Sequence, residues 1–438
     1  MPHVDLVTSF NANEGADFRS AFWGIYLGAG KLKAAQNLME QTLEKCRLVF
    51  GEEHLASVEA MHRLAVTYLR LEEYKKAQEL QVLVLEKRTK LLGEDHPETW
   101  EAMGNLALTH SILGEYEKAE ELEVVVLEKR TRLLGEDHPE TWEAMANLAV
   151  THGYLGEYKK AQELQVLVLE KRTKLLGEDH PETWEAMANL AVTHGYLGEY
   201  KKAQELQVLV LEKRSKLLGE DHPETLMAIG NLAVTYHTLG EYEKAEELEV
   251  VVLEKRTKLL GDNHPETLSA ISNLATTYFQ LRHFEKAKEL QVTVLVKQMK
   301  VLGEDHPQTL NTMLNLAVTW YKQREFERAE GLGIVVLEKR RKLLGDQHPD
   351  TVGAMQILAI MYRALDKLME AEELELQATV LKKQNTALRR DHPDALPIVD
   401  DFTSTEVSAA SQDKNTLSAD SDPQISTVVL YCPDSHMK

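Results

Sequence analysis

The chain has 438 residues, with 71 Asp and Glu against 50 Lys and Arg, a formal charge of −21 and a pI near 5.3. That acidic excess excludes the basic surface needed to displace counterions from nucleic acid, and it disfavours docking on an anionic membrane. No apolar run approaches the roughly 20 residues of a membrane span, the start MPHVDLVTSF lacks the basic and apolar segments of a signal peptide, and two cysteines suit a reducing, cytoplasmic compartment.

Residues 1–14 are a lead-in. From Gly15 the chain is an array. Thr99–Glu140, Thr141–Glu182, Thr183–Glu224, Thr225–Glu266, Thr267–Gln308 and Thr309–Asp350 superpose without gaps as blocks of 42 residues, and Ser57–Glu98 joins them. Gly15–Ala56 is a degraded copy that keeps Tyr26, Gly30, Ala35, Leu38, Leu43, Gly51 and His54 in register. Thr351–Asp394 is a last unit with two extra residues in Glu375–Thr379. Nine units therefore cover 15–394. Residues 395–438 are rich in Ser, Thr and Asp and are expected to be a disordered acidic tail. Within it only Ser426–Cys432 is apolar enough for a short docking segment.

Each unit reads as two helices. In Thr225–Glu266, Leu226, Ile229, Leu232, Ala233 and Tyr236 recur at three- and four-residue steps until Gly240. A second helix carries Tyr242, Ala245, Leu248, Val252, Leu253, Leu259 and Leu260 on one face and stops at Gly261. Val250 and Val251 widen its stripe, so the expectation is burial on two sides, as in a solenoid. Pro265 sits where a first-turn proline is tolerated.

Asn231-Leu232-Ala233, Tyr236, Gly240, Tyr242, Ala245 and Val252-Leu253 resemble the tetratricopeptide (TPR) signature. Ala233 and Ala245 allow close helix approach. The eight residues beyond the standard 34 lie in EKRTKLLGDNHPE, and with the G-x-x-H-P-[ED]-T linker they resemble the kinesin-light-chain type of TPR. This type recurs in fungal proteins that join an NB-ARC or NACHT ATPase to a TPR array. The resemblance implies an all-α, right-handed TPR α-solenoid, a superhelix of antiparallel helix pairs. It implies a non-catalytic protein- or peptide-binding scaffold, the sensing array of an NB-ARC/NACHT-TPR-like protein or a stand-alone derivative; the alternative is a kinesin-light-chain-like cargo or scaffold adaptor. Thr141–Glu182 and Thr183–Glu224 differ only at Thr173 and Ser215. Such identity reflects recent duplication and favours the sensing array.

No catalytic pattern is found, and no cofactor or metal is called for. GIYLGAGKL at Gly24–Leu32 has too short a glycine spacing for a phosphate loop, and Leu32 replaces the required hydroxyl. His54, His96, His138, His180, His222, His264, His306, His348 and His392 recur before proline and are expected to cap helices. Successive copies lie too far apart to share an ion. His110, His152 and His194 replace tyrosines of other units and are expected to be half-buried packing residues. Trp100, Trp142 and Trp184 stand where Leu226, Leu268 and Leu310 stand, and are read as core.

The binding surface is expected on the first helices, which line the groove of TPR superhelices. Asn105, Asn147, Asn189, Asn231, Asn273 and Asn315 recur once per unit, offering donors and acceptors to an extended peptide. Matching asparagines in the kinesin-light-chain family do this. The alternative is an amide ladder that ties neighbouring helices together. Tyr154, Tyr196, His237, Phe279 and Tyr321, near the ends of the same helices, vary between units and are candidate specificity anchors. Glu101, Glu143 and Glu185 stand where a chaperone carboxylate clamp would need Lys or Arg, so that clamp is absent and a neutral or basic peptide is favoured. No coiled coil or ATPase domain stands in residues 1–14, which suggests a stand-alone or truncated array.

Overall fold

The computed structural model describes residues 21–391, and side chains through residue 384. The lead-in, the acidic tail with its apolar segment, His392 and the outer ends of the first and last units lie outside the described residues.

The described residues form eighteen helices and no strand. First helices are α1 (21–28), α3 (Leu55–Arg70), α5 (Pro97–Ile112), α7 (Pro139–Tyr154), α9 (Pro181–Tyr196), α11 (Pro223–Thr238), α13 (Pro265–Gln280), α15 (Pro307–Lys322) and α17 (Pro349–Ala364). Second helices are α2 (Leu32–Phe50), α4 (Tyr74–Leu92), α6 (Tyr116–Leu134), α8 (Tyr158–Leu176), α10 (Tyr200–Leu218), α12 (Tyr242–Leu260), α14 (Phe284–Val301), α16 (Phe326–Leu344) and α18 (Leu368–Asp391). Two compact bodies divide between Thr193 and His194, inside α9. In the first, α2 to α8 pack each on the next; in the second, α10 to α18 do the same. The class is an all-α TPR solenoid.

The start of each first helix is built by the linker. His96, His138, His180, His222, His264, His306 and His348 each use Nδ1 to accept from the backbone N–H two residues on, at 3.2–3.3 Å. His54 does so at 3.1 Å. Each occupies the N-cap position, where one of the unpaired amides of the first turn is satisfied. The hydroxyls of Thr99, Thr141, Thr183 and Thr309 donate to the carbonyl of the preceding helix-ending glycine. Trp100, Trp142 and Trp184 are buried and donate Nε1–H to the linker carbonyls of Glu94, Glu136 and Glu178, each at 2.9 Å.

Helix pairs close on small residues. Ala107, Ala149, Ala233, Ala275 and Ala317 on first helices and Ala119, Ala161, Ala245, Ala287 and Ala329 on second helices are all buried. The core is a series of narrow seams, such as Trp100, Val126 and Ala144, or Leu226, Ile229, Val252 and Ala270. A second-helix expectation needs correction. Val250, Val251, Leu259 and Leu260 are exposed. The buried residues of α12 are Ala245, Glu249, Val252 and Arg256. The two-sided contact is made with a polar residue at every second step, so the outer valines are left to solvent.

Candidate functional site

Six second helices (α4, α6, α8, α10, α12 and α16) carry near their C-terminal ends an arginine that reaches the first turn of the next helix. Arg88 is 2% exposed, and its Nη1 donates 2.8 Å to the carbonyl of Glu98. Arg130, Arg172, Arg214, Arg256 and Arg340 make the same bond to the carbonyls of Glu140, Glu182, Glu224, Glu266 and Asp350. Where the arginine gives way to Gln298, the Thr312 hydroxyl donates to its amide oxygen. These staples also take up the first-helix carboxylates. Glu101 lies 3.1 Å from Arg88 and 3.7 Å from His62 Nε2, and contact with His62 and then Arg88 holds its pKa down to about 2. Glu143 and Glu185 lie 3.4 and 3.8 Å from Arg130 and Arg172. The face that the glutamates made acidic in the sequence is therefore locally compensated.

The asparagine ladder sits on the first helices as the spacing predicts. Asn147 is exposed and Asn105, Asn189, Asn231, Asn273 and Asn315 are half-buried. Among the described residues, none of the six side-chain amides finds a hydrogen-bond partner, whereas the backbone carbonyls of Asn105, Asn231 and Asn315 accept from Thr109, Thr235 and Thr319 one turn on. The amide oxygen of Asn273 is buried without a partner.

The five variable candidates divide. Tyr154 and Tyr196 are exposed, at 42% and 46%. Tyr154 stacks flat on Tyr116 of the preceding second helix, with ring centroids 4.8 Å apart. His237, Phe279 and Tyr321 are half-buried in the corner between the two helices of their own unit. They pack against Tyr242, Phe284 and Phe326 at 5.2, 5.4 and 5.6 Å. Burial lowers the His237 pKa to about 4, so its ring is neutral near pH 7.

Two buried polar features carried no warning in the hydrophobic period. His110, His152 and His194 are buried rather than half-buried, and each faces the carboxylate that opens the following second helix. The Nδ1–Oε2 distances are 2.6 Å to Glu115, 2.7 Å to Glu157 and 2.6 Å to Glu199. Glu123 and Glu249 occupy the second-helix position held by Gln81, Gln165, Gln207 and Gln291 elsewhere, and all six are buried. Desolvation raises the pKa of Glu123 to about 7 and of Glu249 to about 8, offset in part by the neighbouring Thr151 and Thr277 hydroxyls. The available signal was the exchange of Gln for Glu between EYKKAQELQ and EYEKAEELE units.

Two tetratricopeptide repeat family models match the chain. One covers 100–140, 141–182, 267–308 and 309–350; the other covers 24–86 and 197–258, so that together they span more than half of it. No curated protein sequence matches. Among solved structures, the chain is similar to the quorum sensor NprR from B. thuringiensis, at 14% identity and TM-score 0.61, over 85% of this chain and all of that one. It is similar to a signal transduction ATPase with a tetratricopeptide repeat sensor from Pyrococcus horikoshii, at 17% identity and TM-score 0.52, over 79% of this chain and 55% of that one. It also resembles the nearly identical TPR-like repeats named for a Podosopora anserina kinesin light chain, at 28% identity and TM-score 0.43, over 48% of this chain and 98% of that one. Helix pairs joined by small-residue seams and stacked unit on unit agree with the matching family patterns: the chain belongs to the tetratricopeptide repeat family.

Proposed function

We propose that this chain is a non-catalytic scaffold that binds an extended segment of a protein partner along its first helices. The observation that carries the reading is the asparagine ladder. Six amides repeat once per unit on one set of helices and make no hydrogen bond among the described residues, which supports a role in binding over a tie between helices. An extended peptide presents alternating N–H and C=O groups that such amides pair with. Tyr154 and Tyr196, exposed near the ends of the same helices, supply flat apolar surface beside the ladder. Glu101, Glu143 and Glu185 offer no cation to an acidic peptide, which keeps a neutral or basic one preferred, while their pairing with arginines weakens the advantage of a basic peptide over a neutral one.

The near-identity of Thr141–Glu182 and Thr183–Glu224 favours a sensing array over a fixed adaptor, since duplication extends or shifts the recognised segment by whole units. A relative in which the same fold is described as a sensor attached to a signal transduction ATPase is consistent with this reading. The test is a peptide-library pull-down with Asn147, Asn189 and Asn231 together changed to Ala. A triple variant of unchanged helicity should lose at least about tenfold in binding, because each lost amide forfeits roughly 1 kcal/mol. Unchanged capture by the folded variant sinks the reading.

A further inference from the structure

The units alternate in two respects at once, and the alternations come into phase at one place. In α4, Gln78 Nε2 lies 3.2 Å from His110 Nδ1 and donates at 3.0 Å to Glu115 Oε2. Lys75 adds a cation 3.5 Å from Glu115, and Lys118 another at 3.2 Å. One unit later the same pocket is rebuilt with Glu120 in place of Gln78, while Glu117 stands at the repeat position of Lys75. Glu120 Oε1 lies 3.5 Å from His152 Nδ1 and Glu157 Oε2 lies 2.7 Å from it, with the three ligand atoms all within 4.8 Å of one another. Lys160 alone remains, 2.7 Å from Glu157. Relative to the His110 pocket, a carboxylate has thus replaced an amide beside the imidazole, and the cation of Lys75 has no counterpart at its repeat position.

His152 is 6% exposed, and its Nδ1, fully shielded from water, makes no aligned hydrogen bond despite the short approach of Glu157. In the His110 pocket the corresponding contact is a hydrogen bond. The imidazole nitrogen thus lies beneath two carboxylates whose side chains stay 29% and 36% exposed, so the solvent-facing side of the cluster is made by the carboxylates.

We propose that Glu120, His152 and Glu157 form a binding site for a divalent transition-metal cation, Zn²⁺ by its ligand types. One imidazole nitrogen and two carboxylate oxygens, with water at the open side, make the three-protein-ligand set that zinc accepts. Metal–ligand bonds of about 2.0–2.2 Å place tetrahedral ligand atoms roughly 3.3 Å apart. The observed 3.5 and 2.7 Å separations bracket that spacing, with all three atoms within 4.8 Å of one another, so binding requires Glu157 to swing outward and small adjustments of the other two side chains. Lys160, mostly exposed, yields its carboxylate at little cost. The three ligands come from α6, α7 and the start of α8, so an ion there would pin successive units together.

The test is calorimetric titration of the metal-free full chain with Zn²⁺, beside the Glu120→Gln variant. Gln is the residue the protein already uses at position 78, so the variant should fold and melt as the parent does without metal. The parent should show one equivalent of binding that the variant lacks or holds at least about tenfold more weakly. Co²⁺ should give the parent a visible absorption band that the variant does not. Zn²⁺ taken up by other histidines is common to both proteins and cancels. His152→Tyr, which copies Tyr236 of a sister unit, should abolish the same equivalent. Coincident isotherms for parent and both variants, which is the result expected if a proton alone neutralises the pocket, overturn the proposal.

Discussion

The guanidinium of Arg88, on the second helix of one unit, donates a 2.8 Å hydrogen bond to the backbone carbonyl of Glu98, in the first turn of the next. The same nitrogen-to-carbonyl bond recurs with Arg130, Arg172, Arg214, Arg256 and Arg340. A buried cation is tolerated because a carbonyl and one or more carboxylates surround it, and each such bond ties a second helix to the first turn of the helix that follows. Replacing Arg88 by Met keeps the apolar stem and removes every donor. It should destabilise the protein by about 2 kcal/mol in urea unfolding, since a charge-assisted bond is lost together with the ion pairs to Glu59, Glu98 and Glu101. Arg88→Lys should recover only part of the loss, because one ammonium cannot reproduce the forked geometry. Equal stability of all three proteins would show that the staple contributes nothing.

Glu123 and Glu249 make stability fall as pH rises. Their carboxyls titrate at about 7 and about 8 in the folded chain and near 4.5 when unfolded. The folded state therefore holds these protons more tightly. The associated stabilisation is complete below about pH 4.5 and disappears as pH passes through 7 for Glu123 and 8 for Glu249. Glu123→Gln, matching the residue of sister units, should be about 3 kcal/mol more stable than the parent above pH 8 and little changed at pH 5. Thermal melts across pH 5–9 check this. A parent-to-variant difference independent of pH would contradict it.

Gly114, Gly156, Gly198 and Gly240 turn the corner between paired helices with φ of +74 to +77°. Glu72, Arg282, Arg324 and Asp366 take the corresponding position with φ of +58 to +64°. A side chain in this left-handed region costs about 1 kcal/mol that glycine avoids. Arg282→Gly should accordingly raise the melting temperature by a few degrees. At the other glycine position, Gly177 has φ +90° and ψ 165°, a region essentially closed to side chains. Gly177→Ala should destabilise by roughly 1–3 kcal/mol. Equal and small effects at both sites would contradict the backbone argument.

Removing residues 183–224 excises one full repeat between two nearly matching joints. Because stability in a solenoid is approximately a sum over units and their interfaces, the shortened chain should remain cooperatively folded with a modestly lower urea midpoint and m-value. Loss of all helicity by circular dichroism would argue against nearest-neighbour additivity.

By itself the sequence determined the class, the helix pairs, the linker caps and the alanine seams, because each follows from local rules. Helical period fixes which residues share a face, proline and glycine mark the ends, and a side chain two residues from an amide caps it. The asparagine ladder was legible for the same reason. Only the tertiary structure decided which side of each second helix is covered, since the apolar stripe took in Val250 and Val251 whereas the packed side carries Glu249 and Arg256. It also decided which histidine meets which glutamate: Glu120 reaches His152 from the preceding unit, 32 residues away, and no period within a unit encodes that meeting. Partners across a joint depend on the order in which subtypes are stacked, and stacking is a property of packing between units. The acidic excess that opened the sequence is accordingly a distribution of local arrangements, compensated by arginine at one first-helix row and concentrated around His152 at one joint.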